Sequence, residues 1–328
     1  MYIYQEECTG CRVCIPYCPV GAISEADGVA SISFDDCVEC TVCLRFASCP
    51  AEAICESPET AQWPRTIRRQ FSDPMTPHSN STGGRGRGTE EMKTNDVTGR
   101  VKRGEIGIGL EFGRPGVATR LADLEKMTVA LARVGARFEP ANPVTALLAD
   151  QATGELWPEL RNERVLSAIV EVQTPADRLP ALIPAIQHVA EQVDTVISWE
   201  IITRLNDDGS VPIMAELESL GISVTVSGLI DEVIPLAQEL GIKPHTVNLS
   251  MGILGKTDKL ADEDVLEFTT MCGHALISAN LVKKGIKDVA CGIKTPSEAS
   301  MMIGTPCVCG IYNLDRSDIL LRERASQG

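Results

Sequence analysis

The sequence predicts an α+β protein in three successive parts: a cysteine-rich N-terminal module, a βαββαβ domain, and a helical C-terminal region with cysteines of its own. Three observations carry this. Nine of the thirteen cysteines fall within residues 8–55 and the other four after residue 271. From Glu105 to Thr203, short alternating segments and segments of helical period follow one another. Residues 251–328 read mainly as helices. The boundaries expected are 1–62 for the module, 63–104 for a basic Gly/Pro/Ser-rich linker, 105–250 for the α/β domain and 251–328 for the C-terminal region.

Composition narrows the partners before any motif is read. The 328 residues carry a net charge of −15, which disfavours nucleic acid and anionic membranes. Residues 63–104 hold nine Arg or Lys against four Asp or Glu, so the rest of the chain is close to −20. No apolar run approaches the ~20 residues of a membrane span. The start, MYIYQEECTG, has neither a basic n-region nor an apolar h-region, so a cytoplasmic protein is expected. Cysteines bunched at two ends do not resemble a secreted disulfide scaffold; they fit metal sites in a reducing, low-oxygen cell.

The N-terminal module is read from Cys8-x2-Cys11-x2-Cys14-x3-Cys18-Pro19 and Cys37-x2-Cys40-x2-Cys43-x5-Cys49-Pro50. A cubane needs four thiolates. Two-residue spacers wrap the backbone so that three point at one cluster, and the fourth cysteine, before Pro, reaches across to the other. This assigns Cys8, Cys11, Cys14 and Cys49 to one [4Fe-4S] cluster and Cys37, Cys40, Cys43 and Cys18 to a second. The tails CPVGAI and CPAEAI are the halves of an internal repeat. Paired CxxC motifs can also hold zinc, but the repeated order and both prolines favour iron and sulfide. These residues closely resemble the bacterial two-cluster ferredoxins, except for two extra residues before Cys49. Cys55 is surplus and reads as a small buried residue.

The linker opens at Trp63-Pro64 and is rich in turn formers. One reading makes it a solvated tether. In the other, Gly88–Arg100 lies over an active site, because GTEEMKTNDVTGR is denser in ionisable and hydrogen-bonding groups than reach requires. Then come a strand (Glu105–Phe112), a helix (Ala118–Val134), an extended stretch (Ala136–Leu148), turns (Asp150–Leu160), a strand (Arg164–Val172), a helix (Arg178–Val193, its start doubtful at Pro180 and Pro184) and a strand (Thr195–Thr203). That order is the split-βαβ, ferredoxin-like arrangement. A further helix, strand and helix are expected at 211–220, 222–226 and 231–240.

In the C-terminal region one helix is expected from Leu260 to about Lys284, carrying Cys272 and His274. Another should start at Thr295-Pro-Ser-Glu298, which has Pro at the first position and a capping-box glutamate. Cys307-Val-Cys309 cannot form a relaxed disulfide but can offer two thiolates to one metal. Cys272 adds a third ligand, and Cys291 or His274 a fourth. A third iron–sulfur cluster, a small zinc site and a metal-free thiol cluster all fit, and Cys272, Cys307 and Cys309 are the ligands expected if three cysteines bind.

The runs RGTEEMKTNDVTGR (87–100), EFGRPGVATR (111–120), MCGHALIS (271–278) and PCVCGIYN (306–313) resemble 6-hydroxynicotinate reductase and its relatives. The resemblance implies a two-electron reduction of an electron-poor ring, with electrons from an external reduced ferredoxin or other redox protein and a small-molecule substrate. Such chemistry needs a proton donor, for which Glu90, Glu91, Asp96 and His274 are candidates. It also needs a cation for a carboxylate or carbonyl, for which Lys93, Arg114 and Arg120 are candidates. Glu91, Lys93 and His274 are the catalytic residues expected. No GxGxxG follows a strand, so NAD is not expected; flavin sites need no short motif and stay open, as does a homo-oligomer. Two rival classes are a non-catalytic electron-transfer subunit and a sulfur- or metal-handling protein using Cys307 and Cys309 as reactive thiols.

Overall fold

The computed structural model describes residues 1–76, 95, 99–208, 210–213 and 246–326. The segments expected at 211–220, 222–226 and 231–240 lie almost wholly outside them, as do His78, Glu90, Glu91, Lys93, Asp96 and His245.

In the N-terminal module, β1 (Tyr2–Ile3) pairs antiparallel with β4 (Ile54–Cys55), and β2 (Ile23–Ala26) with β3 (Val29–Ile32). The β2–β3 turn is Asp27-Gly28, both at positive φ, the backbone that matches strand twist in a two-residue hairpin. The repeated CPxxAI tails bring Ala22-Ile23 and Ala53-Ile54 to buried positions at the starts of β2 and β4. The short helix α1 (Val42–Phe46) follows Cys40 and Thr41.

The first part of the expected linker is not a tether. Helix α2 (Thr66–Ser72) buries Ile67 and Phe71 in the core of the central domain, and Ser72 Oγ accepts from Leu166 N at 2.8 Å. Here burial of two apolar residues one helical turn apart outweighs the turn-rich composition around them.

The central domain is built on β5 (Glu105–Phe112), β6 (Thr119–Arg120), α3 (Leu121–Arg133), β7 (Arg137–Phe138), β8 (Leu148–Asp150), β9 (Glu155–Leu156), β10 (Arg164–Val165), β11 (Ala168–Pro175), α4 (Leu179–Ala190), β12 (Val196–Arg204) and β13 (Thr246–Gly255). Its five-stranded sheet is antiparallel throughout, in the order β13-β12-β5-β11-β7. Ile106, Ile108, Leu110 and Phe112 point to the helix-covered face, where Leu121, Leu124, Met127 and Leu131 of α3 and Leu182, Ile183 and Ile186 of α4 join them in one core. Pro180 sits in the first turn of α4, where its missing N–H costs nothing.

Two expected strands are shorter than their patterns. The stretch 136–148 is extended only at β7, because Asn142 Oδ1 accepts from Val144 N at 2.8 Å and Thr145 Oγ1 donates to Glu139 O at 2.7 Å, closing a turn instead. The strand expected at 164–172 is two: β10 pairs with β6, Leu166 N turns to Ser72, and β11 enters the main sheet.

The C-terminal region holds α5 (Glu263–Thr269), α6 (Ala279–Ala290), α7 (Pro296–Gly304) and α8 (Leu314–Ala325). The single helix expected over 260–284 is broken across 270–278. Ala275 adopts φ +58°, and Ser278 Oγ accepts from Leu281 N at 2.9 Å to begin α6 afresh. Helix α7 has the full capping box between Thr295 and Glu298. This region packs on the N-terminal module: Val38, Cys40 and Val42 share one apolar cluster with Phe268, Cys272, Leu281 and Cys307. Ser278 Oγ also donates to Pro16 O.

Candidate functional site

The two CxxCxxC loops repeat the same backbone. Gly10 and Arg12 flank Cys11 at φ +67° and +60°, and Glu39 and Thr41 flank Cys40 at +57° and +60°. Left-handed residues on both sides of the middle cysteine turn the chain around a common centre. Three of the four are not glycine, a conformation held only where the surroundings impose it. For Glu39 the surroundings are Arg65, whose Nε donates to its carboxylate at 3.1 Å.

The thiols sort into two groups. Burial first, then the neighbouring Cys11, Cys49 and Cys8, push the Cys14 thiol up to about 11. Burial and then Glu39 raise Cys37 to about 11, with Cys18 also nearby. Cys40 and Cys43 are raised by burial, then by Cys18 and Cys37, and Cys43 adds to the rise of Cys40. A largely enclosed apolar cavity is lined by Cys18, Cys37, Cys40 and Cys43 with Val20, Ile23, Ile32 and Val38. Backbone amides point at sulfur: Ala22 N to Cys18 Sγ at 3.1 Å and Ala30 N to Cys8 Sγ at 3.3 Å. All thirteen cysteines are free. Among the described residues no three His, Cys, Asp or Glu are drawn close enough for a single metal ion. Four thiols around a cavity, met by N–H donors, fit the broader four-iron core.

Helix α2 braces the second group. Arg68 is 4% exposed; its Nη1 donates to Asp35 O at 2.6 Å and Cys37 O at 2.8 Å, and its Nε to the Glu163 carboxylate. Arg120 pairs with Asp35 and donates to Asn162 O at 2.9 Å, and Arg164 pairs with Asp36. Arg120 therefore ties the module to the central domain.

In the C-terminal region the break between α5 and α6 brings Cys272 to the loop after α7. Cys307 Sγ and Cys309 Sγ are 3.7 Å apart. A hydrogen bond from Cys307, opposed by burial, lowers the Cys272 thiol to about 6, and the same bond raises Cys307. Cys272 and Cys307 are buried while Cys309 is exposed. His274 lies in the same turn as Cys272, and Cys291 caps α6 at an exposed position.

The sheet's second face is polar, and the sequence reading did not single it out. The register sets Glu171, Gly109 and Glu200 side by side on β11, β5 and β12. Ile169, Glu111 and Ser198 form the next row. A Cβ on Gly109 would come within 2.9 Å of Glu200 Oε1, so glycine leaves room for the Glu200 side chain. Glu171 is 1% exposed and accepts from Asn142 Nδ2 at 3.0 Å; Glu200 accepts from Asn248 Nδ2 at 2.8 Å. Glu139, also buried, takes Gln173 Nε2 at 2.8 Å and Arg100 Nη1 at 3.1 Å. Asn95 Nδ2 donates to Thr246 Oγ1 on β13 at 3.1 Å, and its Oδ1 accepts from Val101 N at 2.8 Å. The available signal was the alternation Glu105-Ile-Gly-Ile-Gly-Leu-Glu111, whose off-core positions are all Gly or Glu. At the end of this face Arg114 donates to Ser167 Oγ at 3.2 Å and pairs with Glu111 at 3.5 Å. The following loop touches the module: a Cβ on Gly116 would lie 3.2 Å from Pro19 O, next to Cys18.

Comparison with known proteins agrees with the N-terminal geometry. A 4Fe-4S binding domain family matches residues 1–24. A ferredoxin of Chlorobaculum thiosulfatiphilum is 45% identical over 51 residues, 15% of this chain and 79% of that protein. Ferredoxin-3 of Chlorobaculum tepidum is 44% identical over 55 residues, covering 15% and 86%. A ferredoxin of Rickettsia felis is 37% identical over 65 residues, and the match spans 19% of this chain and 58% of that protein. Through its N-terminal module the chain belongs to the 4Fe-4S ferredoxins, with the iron–sulfur electron-transfer capacity of that family. No solved structure matches the chain. Among the described residues no helix is long and apolar enough to cross a membrane.

Proposed function

We propose that the chain is an iron–sulfur reductase that uses low-potential electrons from an external ferredoxin to reduce an electron-poor ring such as 6-hydroxynicotinate or a related heterocycle. Its N-terminal module holds two [4Fe-4S] clusters, on Cys8/Cys11/Cys14/Cys49 and Cys18/Cys37/Cys40/Cys43, and Cys272/Cys307/Cys309 hold a third iron–sulfur group. When bound, these groups supply single low-potential electrons. The observation that carries the reading is the polar sheet face, which ends at a loop resting against Pro19, beside Cys18. A pure carrier has no evident use for a row of carboxylates on a glycine-floored face, each held in place by a neighbouring asparagine.

In this reading the substrate lies on that face. Arg114 engages its carboxylate or ring oxygen, and Asn248 and Asn142 orient the glutamates. Glu171 and Glu200 deliver the two protons that accompany the two electrons, a role that favours donors whose pKa is near the working pH. Glu91, Lys93 and His274 are further candidates, from the resemblance. Anaerobic turnover of 6-hydroxynicotinate and related oxo-heterocycles with reduced ferredoxin tests the proposal, with Glu171→Gln, Glu91→Gln, Lys93→Ala and His274→Ala alongside. Loss of turnover at unchanged iron content identifies a residue of chemistry or binding. The ferredoxin relatives favour a second reading, an electron-transfer subunit. That reading wins if none of the panel is reduced while electrons pass rapidly to a co-purifying protein.

A further inference from the structure

The two cysteine groups of the N-terminal module are repeats in sequence but sit in opposite surroundings. Cys18, Cys37, Cys40 and Cys43 are 8, 7, 8 and 7% exposed. They are closed off by Val20, Ile32 and Val38, by the Arg68 brace on Cys37 O, by the Gly116 loop on Pro19, and by the apolar cluster joining Cys40 to Cys272 and Cys307. In the other group Cys14 is buried, Cys8 and Cys49 are half-buried, and Cys11 is exposed. The chain around Cys11 is open to solvent: Tyr4–Glu7, Thr9 and Arg12 are all exposed, as is Asp27 at the β2–β3 turn packed on Gly10. The charge there is one-sided. Glu6, Glu7 and Asp27 are exposed, while Arg12 is engaged by Glu25 at 2.6 Å.

We propose that the face around Cys11 is the docking surface for a one-electron carrier protein that presents a basic patch. The group at Cys18/Cys37/Cys40/Cys43 is then the inward contact, closed to such carriers. Electron transfer weakens steeply with separation, so a carrier stopped at the protein surface reaches the Cys11 group far sooner than the sealed one. Each encounter moves one electron: the reduced carrier is oxidised by one, the iron held at Cys8/Cys11/Cys14/Cys49 is reduced by one, and no bond or proton changes. Acidic residues around the port steer a basic partner and lose that effect as salt rises.

The inference rests on the two-cluster reading, and the test separates the two. Anaerobic full-length protein is half-reduced, and the EPR saturation of its signals is followed with and without a soluble paramagnetic chelate. The expected result is faster relaxation of one signal only, the one whose g-values change in Cys11→Ser. Equal relaxation of both signals, or selective relaxation of the signal altered in Cys40→Ser, overturns the inference. Protein with a single cluster, or none, overturns the reading beneath it. A second measurement uses a basic c-type cytochrome as acceptor, each ferric haem taking one electron from the reduced protein. Its rate should fall with ionic strength and drop about tenfold in Glu6→Lys/Glu7→Lys/Asp27→Lys at unchanged iron content. An unchanged rate removes the docking face.

Discussion

Arg68→Met would remove the most heavily used buried cation of the second cysteine group. Its guanidinium donates to Cys37 O, Asp35 O and, at 3.3 Å, Phe34 O, and pairs with Glu163. The side chains of the pair are 4% and 12% exposed. Removing one member of a buried pair costs about 3–5 kcal/mol, chiefly because the other charge is left unsolvated. Each stranded carbonyl adds roughly 1 kcal/mol where water cannot replace the donor. A loss of about 4 kcal/mol is expected, since Glu163 can partly reach solvent. In Arg68→Met/Glu163→Met the orphan carboxylate is gone and about half of the loss should return, the carbonyls still being unmet. The assay is anaerobic urea unfolding followed by tryptophan fluorescence and by loss of visible cluster absorbance. Arg322→Met is the control, its exposed pairing with Asp318 one helical turn away being worth at most about 1 kcal/mol. An Arg68→Met protein no less stable than the control would refute the brace.

Gly10→Val should disrupt the first cysteine group, because a Cβ there runs into Gly28 O and the backbone is left-handed; iron should fall by about four per chain, read by metal analysis. Cys272→Ser and Cys307→Ser should each lower iron while the N-terminal EPR signals persist, whereas Cys291→Ser should leave iron unchanged; a loss in Cys291→Ser would place it among the ligands. Thr295→Ala removes the hydroxyl of the capping box and should cost about 1 kcal/mol, measured by urea unfolding.

The cysteine spacing was legible because ligation of a fixed inorganic core leaves little freedom in residue type or interval. The same holds for α3, where apolar residues at 121, 124, 127 and 131 state both the helix and its buried face. Local side-chain bonds were less visible. Asn142 and Ser278 each end a longer pattern by capturing a backbone amide, and nothing in the periodicity of 136–148 or 260–284 announces that competition. Helix α2 was hidden in a stretch whose overall composition is that of a linker, since only Ile67 and Phe71 mark its buried side. The row Glu171-Gly109-Glu200 depends on pairing between strands sixty to ninety residues apart. A single strand showed the alternating Gly and Glu, but which carboxylates would flank the glycine is a property of register.

Single-turnover stoichiometry separates a ring reductase from an electron carrier. Protein reduced anaerobically and freed of excess reductant is mixed with 6-hydroxynicotinate and its oxo-heterocycle relatives, and the visible spectrum and products are followed together. At least one compound should reoxidise the clusters, with one molecule of ring-reduced product appearing for every two electrons lost. Protein that is fully reducible and holds its iron, yet stays reduced before the whole panel, would contradict the ring-reductase reading.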